Sequence, residues 1–205
     1  MLTVIDNGMG NIQSVVNAIS QLNEKCHIST HPSDIKWASA IIFPGVGSFP
    51  MAMSNLEESS LLEVIKEYIC EKGVPFLGIC LGMQLLFESS DEQKVTRGLD
   101  LLRGKVRRIQ CKKGLTVPHV GWNSLCVEKD SPLLANIPEG AMFYYDHSYC
   151  VTDVDDSVFA SLNYGDKMVV GIQRGNLFGV QFHPEKSQRN GLRILRNFLN
   201  YAHQN

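Results

Sequence analysis

The 205-residue sequence predicts an α/β fold: a mixed, mostly parallel sheet with helices on both faces and an antiparallel strand extension. Two observations carry this expectation. The first half alternates short apolar runs with amphipathic stretches, the pattern of β-α-β units. The second half replaces that alternation with short apolar runs broken by Gly, Asn and Asp, which reads as hairpins. No repeat, low-complexity tract or linker separates the halves. They read together as a single domain over residues 1–205, long enough for a sizeable core.

The elements follow in chain order. Leu2–Asp6 reads as a buried first strand. Asn11–Leu22 reads as a helix with Ile12, Val15, Val16, Ile19 and Leu22 at helical spacing and Asn11 as its N-cap. Cys26–Thr30 and Ala40–Phe43 are strands, the latter running into Pro44-Gly45-Val46-Gly47. Leu56–Cys70 has the spacing of one helix. Val74–Ile79 is a strand, and Leu81–Phe87 continues as a helical pattern. Strands are then expected at Gly104–Gln110, Leu125–Val127, Ala141–Val151, Val158–Tyr164, Met168–Arg174 and Leu177–Phe182. Turns fall at Tyr164-Gly165-Asp166-Lys167 and Arg174-Gly175-Asn176. A final helix covers Gln188–His203. In such a sheet, ligands gather outside the carboxyl ends of the parallel strands. The Gly-rich loops after Asp6, Phe43 and Ile79 fall at that edge.

Composition narrows the class. With 44% hydrophobic and 20% charged residues, the chain has an ordinary globular balance, and its net charge of −2 leaves no nucleic-acid footprint. The basic run Arg103 to Lys113 reads as a solvated strand or a docking surface for an acidic partner. No stretch is long and apolar enough for a membrane span, and the N-terminus lacks the features of a signal peptide. The six cysteines, at 26, 70, 80, 111, 126 and 150, show no C-x-x-C pair. They suggest neither a zinc site nor a disulfide scaffold, and fit a reduced, cytoplasmic setting. Five of them read as small core residues. No metal or cofactor is implied.

Cys80 is the exception. It stands in Gly78-Ile79-Cys80-Leu81-Gly82, at a strand-to-helix turn, the thiol form of a nucleophile elbow. The glycines permit a tight turn, and the following helix start directs N–H groups at the sulfur, favouring thiolate. Gln181-Phe182-His183-Pro184-Glu185 supplies a base and a carboxylate. In an extended segment His183 and Glu185 project to one side, so Glu185 can orient the imidazole. Cys80, His183 and Glu185 therefore form a nucleophile–base–orienter hypothesis. His147 is a competing base without a glutamate two residues on. Gly45, Val46 and Gly47 can turn an amide inward as an oxyanion donor, with the Leu81 amide as the second. Trp122, beside Gly121 and Asn123, could anchor a partner.

Together these residues resemble the class I, triad-type glutamine amidotransferases, a flavodoxin-like fold, over almost the whole chain. The specific motifs are G-I-C-L-G-M-Q at 78–84 and F-H-P-E at 182–185. Four stretches resemble the branch whose glutaminase serves histidine biosynthesis: G-M-G-N-I at 8–12, P-G-V-G-S-F at 44–49, P-H-V-G-W-N at 118–123 and G-V-Q-F-H-P-E-K-S at 179–187. The resemblance implies that Cys80 attacks the side-chain amide of glutamine and His183 shuttles the proton. Water then releases glutamate from a thioester. It implies that Gln84, His147, Ser148 and Tyr149 hold the glutamine. Ammonia would pass to a (β/α)8-barrel cyclase subunit docked over Asn11, Trp122, Asn123 and Lys186, forming a heterodimer. Asn7 and Asp146 depart from the residues usual at their positions, both in loops expected near the partner. A paralogous branch supplying ammonia for amidino-sugar synthesis shares the triad. A non-catalytic subunit and a cysteine peptidase are the readings from other classes.

Overall fold

The computed structural model describes residues 1–110, 112 and 114–204. Cys111 and Lys113, counted above among the cysteines and the basic run, lie outside the described residues. The chain runs β1 (Leu2–Ile5), α1 (Ile12–Gln21), β2 (His27–Ser29), α2 (Pro32–Ile35), β3 (Ala40–Gly45), α3 (Phe49–Glu58), α4 (Leu61–Cys70), β4 (Phe76–Cys80) and α5 (Leu81–Gln84). It continues through β5 (Phe87–Ser90), β6 (Thr96–Arg97), β7 (Leu102–Arg108), β8 (His119–Ser124), β9 (Cys126–Val127), β10 (Met142–His147) and β11 (Tyr149–Thr152). Then come β12 (Val158–Tyr164), β13 (Asp166–Arg174), β14 (Leu177–Val180) and α6 (Gln188–Gln204).

The centre of the sheet is parallel, in the order β2-β1-β3-β4-β14. This is the doubly wound order in which ligands collect at the carboxyl ends of the strands. Beyond β14 the sheet turns antiparallel through β13, β11 and β7, then continues to β5 and β6. β12 folds back on β13 and carries β9. Strands β8 and β10 form a separate antiparallel ribbon. The expected mixed sheet with an antiparallel extension is the fold observed.

Alternation along the central strands places apolar groups on both faces. Val4, Ile42, Leu77, Ile79, Phe178 and Val180 join α1 and α6 in one core layer. Ile5, Ile41, Phe43 and Phe76 join α3 and α4 in the other. Each large apolar side chain so buried contributes about 1.5–3 kcal/mol. α6 presents Ile194, Leu195, Phe198 and Leu199 at helical spacing, and all are buried. α1 buries Ile12, Val15, Ala18 and Ile19, and the Asn11 side chain accepts from Ser14 N at its start, as expected of an N-cap.

Several elements differ from their expected forms, and β6 and β8 were not expected as strands. The helix expected over Leu56–Cys70 is two helices. Ser59 donates its hydroxyl to the Asn55 and Leu56 carbonyls, and Ser60 takes φ 58°, which stops α3 and restarts the chain as α4. The pattern from Leu81 to Phe87 is one helical turn followed by β5. Every residue there is buried, so its apolar groups carry no period that separates helix from strand. The single strand expected over Ala141–Val151 is two strands in different sheets, because the chain changes partner at Ser148. α2 escaped notice because four residues starting at a proline show no period.

The cysteines also differ from expectation. Among the described residues, Cys150 alone joins Cys80 in burial. Cys26 is half-buried, and Cys70 and Cys126 are exposed, at the end of α4 and on the short outer strand β9. Along β7, Leu102, Gly104 and Val106 are buried while Arg103, Lys105, Arg107 and Arg108 face outward, and Arg107 pairs with Asp91 at 3.0 Å.

Very tight backbone contact lies beneath α5. A Cβ at Gly82 would stand 1.9 Å from the Phe43 carbonyl oxygen, and one at Gly78 would stand 2.6 Å from the Gly82 oxygen. Backbone cannot yield as a flexible side chain does. Gly82→Ala is therefore expected to lower stability by about 3 kcal/mol, measured by urea unfolding. A loss under about 0.5 kcal/mol would contradict this packing.

Candidate active site

Cys80 ends β4 and begins α5 with φ 53° and ψ −108°, a strained conformation for any residue with a side chain. Gly78 and Gly82 let the chain turn this sharply by resting backbone on backbone. The helix behind the sulfur is a single turn, so its contribution is the local N–H groups and not a long macrodipole.

β14 brings the second part. It runs parallel to β4 with Val180 opposite Ile79, so the chain leaving β14 passes alongside Cys80. His183 follows three residues later. Its amide donates to the Tyr144 carbonyl at 2.9 Å, and its carbonyl accepts from Ser187 Oγ at 2.6 Å. Its Nδ1 lies 2.8 Å from Glu185 Oε1, with both side chains almost wholly enclosed. Nε2 has no hydrogen-bond partner among the described residues. Burial works to depress the imidazole, but the Cys80 charge, with a further contribution from Glu185, outweighs it and pushes His183 up to about 10. Cys80 is thus close enough to govern the imidazole's charge while lying outside good hydrogen-bond geometry.

Gln84 and Gln181 link Cys80 to the opposite wall. Gln84 Nε2 donates to the Tyr149 carbonyl and to Gln181 Oε1, both at 3.0 Å, and Gln181 Nε2 stands 3.5 Å from Cys80 Sγ. A second chain reaches the same carbonyl. Asn123 Nδ2 meets His119 Nε2 at 2.8 Å, His119 Nδ1 meets His147 Nε2 at 3.0 Å, and His147 Nδ1 meets Tyr149 O at 2.8 Å. The carbonyl can only accept, so His147 carries its proton on Nδ1. His119 in turn donates from Nδ1 and accepts from Asn123. Burial, reinforced by His119 and His183, holds His147 down to about 4 despite its bond to Tyr149. A buried imidazole hydrogen-bonded this way is a fixed strut, which removes it as the competing base.

A cavity of about 370 Å³ opens in front of Cys80. Val46, Gly47 and Leu81 line it, as do Gln84, His147, Ser148 and Tyr149. Gly45 does not. It pairs with Cys80 across β3 and β4 and packs behind, where a Cβ would stand 3.1 Å from Leu81 Cβ. Glu92 is a lining residue that sequence reasoning missed. One of its oxygens accepts from Phe49 N at 2.7 Å, at the start of α3. Nothing in Ser89-Ser90-Asp91-Glu92 separates it from a solvated loop. Gln181 was also missed. Alternation groups it with His183, but the extended segment expected to carry on through Glu185 ends at Pro184, where Pro184–Lys186 forms a 3-10 turn that brings Glu185 to the imidazole. A larger groove of about 910 Å³, beneath residues 124–141, shares no lining residue with this cavity.

The residues expected at a partner surface divide. Trp122 is partly exposed and meets Tyr144 edge-on at 6.0 Å, and the Lys186 ammonium lies 5.5 Å from the Tyr144 ring centre. Those three form one patch. Asn123 turns its amide inward to His119, and Asn11 spends its side chain on the α1 cap.

The histidine pair gives a pH prediction. His147 is neutral in the fold, with a pKa near 4, against about 6.5 unfolded. The unfolded chain takes up the extra proton between those values, so stability is full above about pH 6.5 and falls as the pH drops towards 4. Urea midpoints should decline over that interval, and His147→Leu should flatten the decline. An unchanged slope in that variant would sink the assignment.

The chain matches the family model "Glutamine amidotransferase class-I" over residues 3–202. It is 46% identical over 198 residues to "Imidazole glycerol phosphate synthase subunit HisH" of Moorella thermoacetica, covering 96% of this chain and 93% of that one. It is 48% identical over 204 residues to the protein of the same name from Halalkalibacterium halodurans, covering 97% and 94%. Among solved structures, a crystal structure of glutamine amidotransferase superposes with a TM-score of 0.76 at 18% identity, covering 98% of both chains. PurLQS from Thermotoga maritima gives 0.75 at 20% identity, covering 98% and 97%. With the nucleophile elbow, the flavodoxin-like strand order and these matches in agreement, the chain belongs to the class I glutamine amidotransferases and, among them, to the HisH family of imidazole glycerol phosphate synthase subunits.

Proposed function

We propose that this chain hydrolyses glutamine to glutamate and ammonia at Cys80, as the glutaminase subunit of a histidine-pathway cyclase. The observation that carries the reading is the buried His183–Glu185 pair at 2.8 Å, with an Nε2 that has no hydrogen-bond partner among the described residues beside the cysteine of the elbow. The Cys80 thiolate attacks the side-chain amide carbon, and the oxyanion forms against the amides near Val46–Gly47 and Leu81. His183 Nε2 gives its proton to the departing nitrogen, and ammonia leaves. A water, deprotonated by His183, then attacks the γ-glutamyl thioester and releases glutamate and the free thiol. Glu185 holds the imidazole in orientation and favours its charged form. Gln84 and the segment 147–149 line the glutamine site, and the Glu92 carboxylate there suits the α-ammonium of an amino acid.

The partner belongs to the same proposal. Trp122, Tyr144 and Lys186 make an aromatic and cationic patch on the ribbon whose other face carries Tyr145, His147 and His119. A (β/α)8-barrel cyclase subunit docked there would form a heterodimer and receive ammonia without release to solvent. The reading places the protein in the cytoplasm, and among the described residues no helix is long and apolar enough to cross a membrane. The amidino-sugar alternative has only the departures at Asn7 and Asp146 to speak for it.

The test is glutamate release from glutamine, for the chain alone and with a cyclase subunit and its ligand. The Gly45-Val46-Gly47 turn is permissive, so stimulation by the loaded partner is expected. Cys80→Ala should abolish release, and Glu185→Gln should lower kcat by roughly 10²–10⁴-fold. Hydrolysis surviving in Cys80→Ala would overturn the mechanism.

A further inference from the structure

We propose that Gln181 is a positioning residue for the nucleophile, its side-chain amide donating to Cys80 Sγ and holding the sulfur as a hydrogen-bond acceptor. This deepens the glutaminase reading and rests on Cys80 being the nucleophile. Gln181 is fully buried, one residue past the end of β14, in the stretch where that strand passes Cys80. Its Nε2 is 3.5 Å from the sulfur.

Which end of the amide faces the sulfur is decided by a backbone group. The Tyr149 carbonyl has no proton, so Gln84 must turn its nitrogen towards it. The second hydrogen on that nitrogen reaches Gln181, which must therefore present oxygen to Gln84 and nitrogen to Cys80. One carbonyl thus sets two amides in series. On another side the Asp146 carbonyl lies 4.0 Å from the sulfur, an acceptor that suits a thiol alone. The sulfur sits between a donor that favours S⁻ and an acceptor that favours S–H. When the proton leaves for His183, the Gln181 bond remains and becomes charge-assisted. His183 cannot take over this holding role, because its Nε2 must carry the proton onward.

Gln181→Met keeps the volume and removes the amide. The reading is the rate of Cys80 alkylation by iodoacetamide across pH, resolved by peptide mass spectrometry so that the other five cysteines are scored apart. The half-maximal pH should rise by about one unit. In the cyclase complex, kcat for glutamine should fall about tenfold while KM stays within about twofold. Gln84→Met, which leaves Gln181 in place but unoriented, should shift the alkylation midpoint in the same direction by less. It carries the test if Gln181→Met does not fold. An unmoved midpoint in a folded variant overturns the proposal. Alkylation needs neither glutamine nor a partner, so the two readings fail separately. A wild-type chain that never hydrolyses glutamine, yet shows the shift, sinks the glutaminase reading alone.

Discussion

Gly82 rests so closely on the Phe43 carbonyl that a methyl group would overlap it, and Gly78 meets the Gly82 backbone in the same way. This approach of β4, α5 and β3 permits the turn that forces Cys80 to positive φ. Such a conformation costs of order 1–3 kcal/mol and survives only where the surroundings overdetermine it. The surroundings here are two apolar layers, one on each face of the parallel sheet, that fix β3, β4 and β14 in register. The position of His183 follows from the same register, since β14 delivers it beside the elbow.

Two buried histidines within this site are driven in opposite directions. His183 and His147 both suffer desolvation, which disfavours the imidazolium. His183 faces Cys80 and a carboxylate, and their charges reverse the effect. His147 faces a carbonyl and another imidazole, which do not. The difference separates the two imidazoles by charge, one held protonated and the other neutral, without reference to sequence position.

The grouping of Cys80 with His183 and Glu185, the parallel half of the sheet and the α1 cap were legible in the sequence because each rests on local pattern: a glycine-flanked cysteine, alternation of apolar residues, an asparagine before a helical stretch. What escaped depended on tertiary context. The break at Ser59–Ser60 lies within an unbroken apolar spacing. Leu81 to Phe87 is buried on every side, so its fold was set by neighbours and not by period. Gly45 was placed at the oxyanion site by motif, yet the pairing of β3 with β4 turns it behind the wall. Glu92 enters the cavity through a loop that shows no signal, and Gln181 becomes meaningful only once Gln84 and Tyr149 are known to meet.

The two hydrogen-bonded chains that converge on Tyr149 have a consequence for proton conduction. Every bond in the chain from Asn123 through His119 and His147 donates towards the carbonyl, and the Gln84 bond donates towards it from the other side. A carbonyl has no hydrogen to hand on. The path is continuous for mechanical restraint but broken for Grotthuss hopping, so protons cannot run along it between the ribbon and the sulfur. The routes left to the thiol's proton are His183 and the contents of the cavity, not the bonded chain that runs back to His119 and Asn123.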